Sequence, residues 1–192
     1  MLNVGSKKHG FTLIEVLVVV SIMGILVSMG VASLTGAVAN ARIRDYALNT
    51  AAFLERVAND ANRMSKSLCV KQYGNYALAV YEASSCDVTL PTDPDDWYDR
   101  FDIPALSNGS LPPAHFGCNI DGDIASDREM PDWGTDGAFF KPHIGLSAAP
   151  TKGFICIQYG QREIYGLAGK SPTKNMIESQ WKVGSGGLWQ DL

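Results

Sequence analysis

Lys7-Lys8-His9-Gly10-Phe11-Thr12-Leu13-Ile14-Glu15 opens the stretch that decides how this chain folds. Across residues 11–31 the only formal charge is Glu15, and the rest is Leu, Ile, Val, Met, Phe, Thr, Ser and Gly. The run matches the ~20 apolar residues a helix needs to cross a bilayer. The basic patch in front of it holds the N-terminus on the cytoplasmic side. Two fates are open to such a segment. A secretory signal would be cut on the far side, where Gly30-Val31-Ala32-Ser33 offers small residues. The other cut falls before the apolar run, between Gly10 and Phe11, and leaves the helix on the mature protein.

Residues 7–15 resemble the leader and mature N-terminus of type IV pilins and type II secretion pseudopilins, nearly residue for residue. The resemblance implies that a prepilin peptidase cuts after Gly10 and methylates the new N-terminus at Phe11. It also makes Glu15 the glutamate at the fifth mature position. Elementary energetics supports a role for Glu15 independently, because an isolated charge deep in a bilayer costs on the order of 2.5 to 3.5 kcal/mol even on lenient scales. Its nearest partner would be the α-amino group of Phe11, in the same chain or in a neighbouring subunit, so that Glu15 sets axial register during assembly. The bland alternative is a carboxylate that snorkels to the headgroups near the helix start.

The helix is expected to outrun the membrane. Small side chains recur at Gly24, Ser28, Ala32, Gly36 and Asn40, a spacing that lets helices approach closely and is also common in any Gly- and Ala-rich span. The kinking proline that many pilins carry about twenty residues into the mature chain is missing, since Ala32 stands there. Beyond it, Ile43, Ala47, Thr50, Leu54, Val57, Ala61, Met64 and Leu68 follow in steps of four and three, one face of an amphipathic helix. The organisation is therefore a leader at 1–10, a transmembrane and assembly helix at 11–33, its amphipathic continuation at 34–66, and a β-rich head outside the cytoplasm at 67–192.

Past residue 67 the period shortens to two. Leu68-Cys69-Val70-Lys71-Gln72 and Tyr76-Ala77-Leu78-Ala79-Val80-Tyr81, parted by Tyr73-Gly74-Asn75, read as a hairpin. A later cluster spans 153–159, 162–168 and 177–183. The fold class expected is α+β and pilin-like: a long N-terminal helix packed on a mainly antiparallel β-sheet or sandwich. Helix first, short strands after and a late strand pair is similar to the H-type pseudopilin and FimT branch (the GspH/FimT family).

Between the strand clusters lies an acidic stretch, read as a loop insertion at 84–137. Residues 87–139 carry a local charge of −10, and residues 140–182 one of +4. Such a loop is either simply solvated or a surface for a partner or a cation. Asn119, Asp121, Asp123 and Asp127 alternate oxygen side chains as a calcium site does, but the glycine falls at 122, ahead of an EF-hand's turn, and the closing glutamate is missing. No cofactor is expected beyond that calcium option. Cys69, Cys86, Cys118 and Cys156 all follow the apolar helix, in a compartment that favours disulfides. Of three possible pairings, Cys69 with Cys86 and Cys118 with Cys156 fit the layout best, and the spacings lack the short ligand pairs of a zinc site.

The 192 residues, 46% hydrophobic and 19% charged with a net charge of −4, exclude a disordered chain and a general nucleic-acid coat. No catalytic constellation is visible: His9 lies in the leader, and His115 and His143 have no nucleophile motif beside them. The reading is a structural filament subunit, not an enzyme. Its partners are other pilin or pseudopilin subunits, the prepilin peptidase and an inner-membrane assembly platform. It would sit single-pass in a bacterial inner membrane, then in a periplasmic or cell-surface filament. Two alternatives come from other classes. One is a DNA-binding minor pilin using Lys152, Arg162, Lys170, Lys174 and Lys182 with Tyr165 and Trp181, although the acidic middle would repel DNA. The other is a membrane-anchored protein whose helix is never processed.

Overall fold

The computed structural model describes residues 11–87, 89–105, 112–118, 133–142, 145–146, 153–170, 176–184 and 186–192. The chain divides into two compact units, Met1–Val38 and Ala39–Leu192. In the first, helix α1 (Leu13–Met64) begins as a helix with every large apolar side chain exposed, from Leu13 to Met29. It is the one helix among the described residues long and apolar enough to cross a membrane.

The second unit starts where α1 acquires a buried face. Ile43, Ala47, Thr50, Leu54, Val57 and Ala61 are all fully buried, as the four-and-three spacing requires. Two antiparallel sheets share the core with them. The first has the order β3-β2-β1-β5-β6, from β1 (Leu68–Tyr73), β2 (Ala77–Glu82), β3 (Asp99–Asp102), β5 (Ala138–Lys141) and β6 (Gly145–Leu146). The second runs β10-β9-β8-β7-β4, from β4 (Ala114–Phe116), β7 (Gly153–Tyr159), β8 (Ile164–Lys170), β9 (Ile177–Val183) and β10 (Gln190–Asp191). This is the α+β layout that the periodicities imply, and it is consistent with the pilin-like fold that the resemblance of residues 7–15 leads one to expect.

Strand alternation sorts each sheet into two faces. Leu68, Val70, Leu78, Val80 and Phe140 join the main core, whereas Cys69, Tyr81 and Phe139 form a separate cluster behind the first sheet with Cys86. In the second sheet Ile155, Ile157, Ile164 and Ala168 join the main core, and Phe154, Cys156 and Leu167 make up the cluster behind it. Gly166 marks the closest approach of helix to sheet: a Cβ there would lie 3.1 Å from the Ile43 carbonyl and 3.2 Å from the Ala47 methyl. The small pair Gly166 and Ala168 on β8 is what lets α1 lie against that strand.

The stretch read as a loop insertion at 84–137 is more structured than its sequence suggests. It supplies β3 to the first sheet, β4 to the second, a 3-10 turn (Pro94–Asp96) capped by the Asp93 carboxylate, and the short helix α2 (Trp133–Asp136). The β1–β2 turn anchors both strands. The Asn75 carbonyl accepts from the Phe116 amide and the Tyr76 carbonyl from the Ile103 amide, each at 2.8 Å. Phe101 of β3 stacks on Phe53 of α1, with ring centres 5.1 Å apart, and Arg56 of α1 pairs with Asp99. Four- and three-residue strands are too short to show a period, so backbone pairing and a few aromatic contacts decide their place.

Trp133 of α2 is fully buried, and its ring lies where a side chain on Gly153 would stand. Its indole Nε1–H finds no partner among the described residues.

Cys69 is bonded to Cys86 and Cys118 to Cys156, with Cα separations of 5.5 and 5.7 Å. Gly137 seals the first bridge. Its φ is +87°, and a Cβ would fall 2.8 Å from the Cys86 Cβ and 3.0 Å from both sulfurs. Gly137→Ala is therefore expected to destabilise the protein by about 2 to 4 kcal/mol, from the left-handed backbone and the overpacked bridge together. Thermal unfolding of the purified chain in detergent measures this, and an unchanged midpoint would contradict it.

Candidate functional site: the N-terminal helix start

The first turn of α1 is built by four residues, Thr12-Leu13-Ile14-Glu15. The Thr12 backbone N–H and its hydroxyl both donate to Glu15 Oε2 at 2.9 Å, and the Glu15 N–H donates to Thr12 Oγ1 at 3.3 Å. This reciprocal arrangement is a capping box, which satisfies donors that a helix start otherwise leaves orphaned. The helix dipole favours the carboxylate at the same place. Glu15 is thus held in the first turn, three residues from Thr12, by its own chain.

Thr12 was missed in reading the sequence as a membrane segment, yet its signal was present: Thr followed three residues later by Glu, ahead of an apolar run. The box gives the carboxylate two hydrogen bonds within one chain, in a segment where an unpaired charge is most costly. Thr12→Val keeps the shape and removes the hydroxyl. It is expected to cost about 1 kcal/mol of helix-start stability, read as faster amide exchange over residues 13–16 in detergent or bilayer discs. Unchanged exchange would show that the box does not hold the turn.

Of the other residues singled out in the sequence, Phe11 is described and 88% exposed. Gly10 lies outside the described residues, as do Asn119, Asp121, Asp123 and Asp127 of the calcium option. Among the described residues no three His, Cys, Asp or Glu side chains come together as a metal site. Side chains built at Gly24, Gly30 and Gly36 would meet nothing within 4 Å. His115 turns Nδ1 towards the Phe116 and Gly117 carbonyls, at 3.3 and 3.1 Å, a strand-end contact. His143 is outside the described residues.

Among the described residues, the candidate DNA-binding set is not brought together as one exposed surface. Lys182 is 3% exposed and Tyr165 is equally buried, with burial raising the tyrosine hydroxyl's pKa above its usual value and the Glu163 charge adding to it. Trp181 is covered by the Arg44 guanidinium, 3.6 Å from its ring centre. Arg162 is exposed and Lys170 half-buried, whereas Lys152 and Lys174 lie outside the described residues. Phosphate contact and base stacking need exposed groups, and the central members of that set are not exposed.

An exposed apolar helix start with an acid capped in its first turn, followed in the chain by antiparallel sheets, is a layout consistent with a pilin-like fold. Residues 5–31 match the family model for the prokaryotic N-terminal methylation motif, which spans Gly10, Phe11 and Glu15. The motif indicates a prepilin-type pilin or pseudopilin, processed by a prepilin peptidase and assembled with other pilin subunits. It suggests a structural subunit rather than an enzyme, and with the apolar helix it fits inner-membrane anchoring followed by entry into a filament. No curated protein and no solved structure matches the chain significantly.

Proposed function

We propose that this chain is a minor subunit of a type IV pilus-like filament, of the GspH/FimT kind, acting in protein secretion or pilus biogenesis. The observation that carries the reading is the methylation motif lying across a capped, exposed apolar helix start. A face that stays bare in one chain is covered by lipid before assembly and by neighbouring helices after it. Cleavage after Gly10 frees the Phe11 amine, and the Glu15 carboxylate exchanges its Thr12 contacts for the amine of a neighbouring subunit. The acidic stretch suits a specialised minor subunit, and the energy for extraction from the membrane comes from an assembly ATPase elsewhere.

Affinity-tagged full-length chain, expressed in its host at native level, tests the role. The expected result is its recovery in sheared filaments or cross-linked to other pilin-type subunits, at a few copies per filament. Deletion should then abolish either surface pili or secretion of a protein substrate, and the one lost names the system. Recovery only in the membrane fraction, with pili and secretion intact, would overturn the proposal.

A further inference from the structure

We propose that Cys118 is the entry point for thiol–disulfide exchange on the head: a dithiol attacks its sulfur, opens the Cys118–Cys156 bridge and frees the end of β4 from β7, while the Cys69–Cys86 bridge stays closed. The two bridges differ in what a thiol can reach. Cys69 is fully buried and Cys86 is 7% exposed. Both sit in a cluster with Tyr81 and Phe139, against which Ala83 and Leu90 pack, and a Cβ on Gly137 would fall 3.0 Å from both sulfurs. In the other bridge only one half is enclosed. Cys156 is 3% exposed and clusters with Phe154 and Leu167. Cys118 is half-buried and packs on the outside of that cluster, as does Trp189, whose ring centre lies 5.1 Å from the Lys182 ammonium. Exchange begins with a new bond to one sulfur of the bridge, so access to that sulfur decides which bridge reacts.

The exposure fixes the direction of attack. A thiolate of the dithiol bonds to Cys118 Sγ, the bond between the two sulfurs breaks, and Cys156 leaves with the electron pair and takes up a proton. The second thiol of the reagent then attacks the mixed disulfide, which releases Cys118 as a protonated thiol and leaves the reagent oxidised to its own disulfide. The effect on the fold follows from the neighbouring bonds. Gly117, at φ +85°, joins β4 to Cys118, and its N–H donates to the Cys156 carbonyl at 2.9 Å, next to the Phe116 and Ile157 pairing. The bridge therefore clamps the last backbone bond between β4 and β7. The rest of β4 has anchors of its own. Ala114 and Phe116 are buried in the main core, the Phe116 N–H donates to the Asn75 carbonyl at 2.8 Å, and β7 keeps its six paired residues on β8. Opening is local, so the head carries one sealed bridge that holds the fold and one bridge that a dithiol oxidoreductase can make and unmake.

The oxidised full-length chain in detergent is treated with dithiothreitol at neutral pH and quenched in acid at intervals. Its thiols are blocked with N-ethylmaleimide in denaturant, and the remaining bridges are then reduced and blocked with iodoacetamide. Peptide mass spectrometry should find Cys118 and Cys156 opened about tenfold or more faster than Cys69 and Cys86. With glutathione, a monothiol, the mixed disulfide trapped by acid should sit on Cys118. With this bridge alone open, the Gly117 amide should exchange with deuterium about tenfold or more faster, while the amides of β1 and β2 keep their protection. The proposal is overturned if the two bridges open together or neither opens, if Cys69–Cys86 opens first, if the glutathione adduct sits on Cys156, or if Gly117 exchange is unchanged. None of these readouts involves a filament, so the outcome is separate from that of the proposed function.

Discussion

A Glu15→Leu chain is expected to reach the membrane, lose its leader and all but vanish from filaments. In the single chain the carboxylate is held by Thr12 through two hydrogen bonds, which makes it a ready acceptor in the first turn. Leucine fits lipid better than glutamate does, so insertion should not suffer. What suffers is the addition step, because a neighbour's Phe11 amine would enter an apolar helix bundle without its counter-charge. Breaking a buried pair by removing one partner costs about 3 to 5 kcal/mol, and each 1.4 kcal/mol is a factor of ten. The drop in filament recovery should therefore be about a hundredfold or more. Glu15→Asp, one methylene shorter with its charge kept, should lie between the two. If Glu15→Leu assembles at the wild-type level, the carboxylate merely snorkels and the register role is wrong.

The second large effect belongs to the head. Gly153→Ala adds a methyl whose Cβ would stand 1.8 Å from the Trp133 Nε1 and 2.2 Å from its Cε2. Neither side has room to yield. Trp133 is fully buried, and Gly153 is itself packed closely on β8, since a Cβ on Gly169 would lie 2.5 Å from the Gly153 carbonyl oxygen. Expelling the indole from the core is expected to cost about 3 to 5 kcal/mol, the cost of losing a buried tryptophan. Its signature is a blue-shifted tryptophan emission lost at temperatures where the native protein is folded. Trp133→Leu in the Gly153→Ala background should recover part of the loss, because neighbouring substitutions that share a space are not additive. Equal stability of Gly153→Ala and the native chain would contradict the packing described.

How much of this was legible beforehand follows from the range of each signal. The buried face of α1 was readable residue by residue, because Ile43 through Ala61 repeat one helical period over many turns. The β1–β2 hairpin announced itself around Gly74, and β7, β8 and β9 of the second sheet did so around Gly160 and at 177–183, whereas β4 and β10 did not. The acidic stretch did not, since Asp99–Asp102 and Ala114–Phe116 are too short for a period and Trp133 sits among acids that mark a sequence as solvent-facing. Gly166 and Gly153 were silent for another reason. A glycine states nothing about what it makes room for, and only the opposing Ile43 carbonyl and Trp133 ring explain it. The motif at the N-terminus was readable because it is local, and the Thr12–Glu15 capping box carried an equally local signal that the reading as a membrane segment passed over. The burial of Lys182 and Tyr165 depended on contacts with Trp189 and the sheet, so spacing alone made them look like a basic surface.

The central claim is that this chain is cut and modified as a prepilin, and intact mass with N-terminal sequencing of the membrane-extracted protein tests it most directly. Produced with a prepilin peptidase, the protein should begin at an N-methylated Phe11, and without the peptidase it should keep residues 1–10. A chain that begins near Ser33, or one that stays uncut with the peptidase present, would contradict the claim and remove the filament account with it.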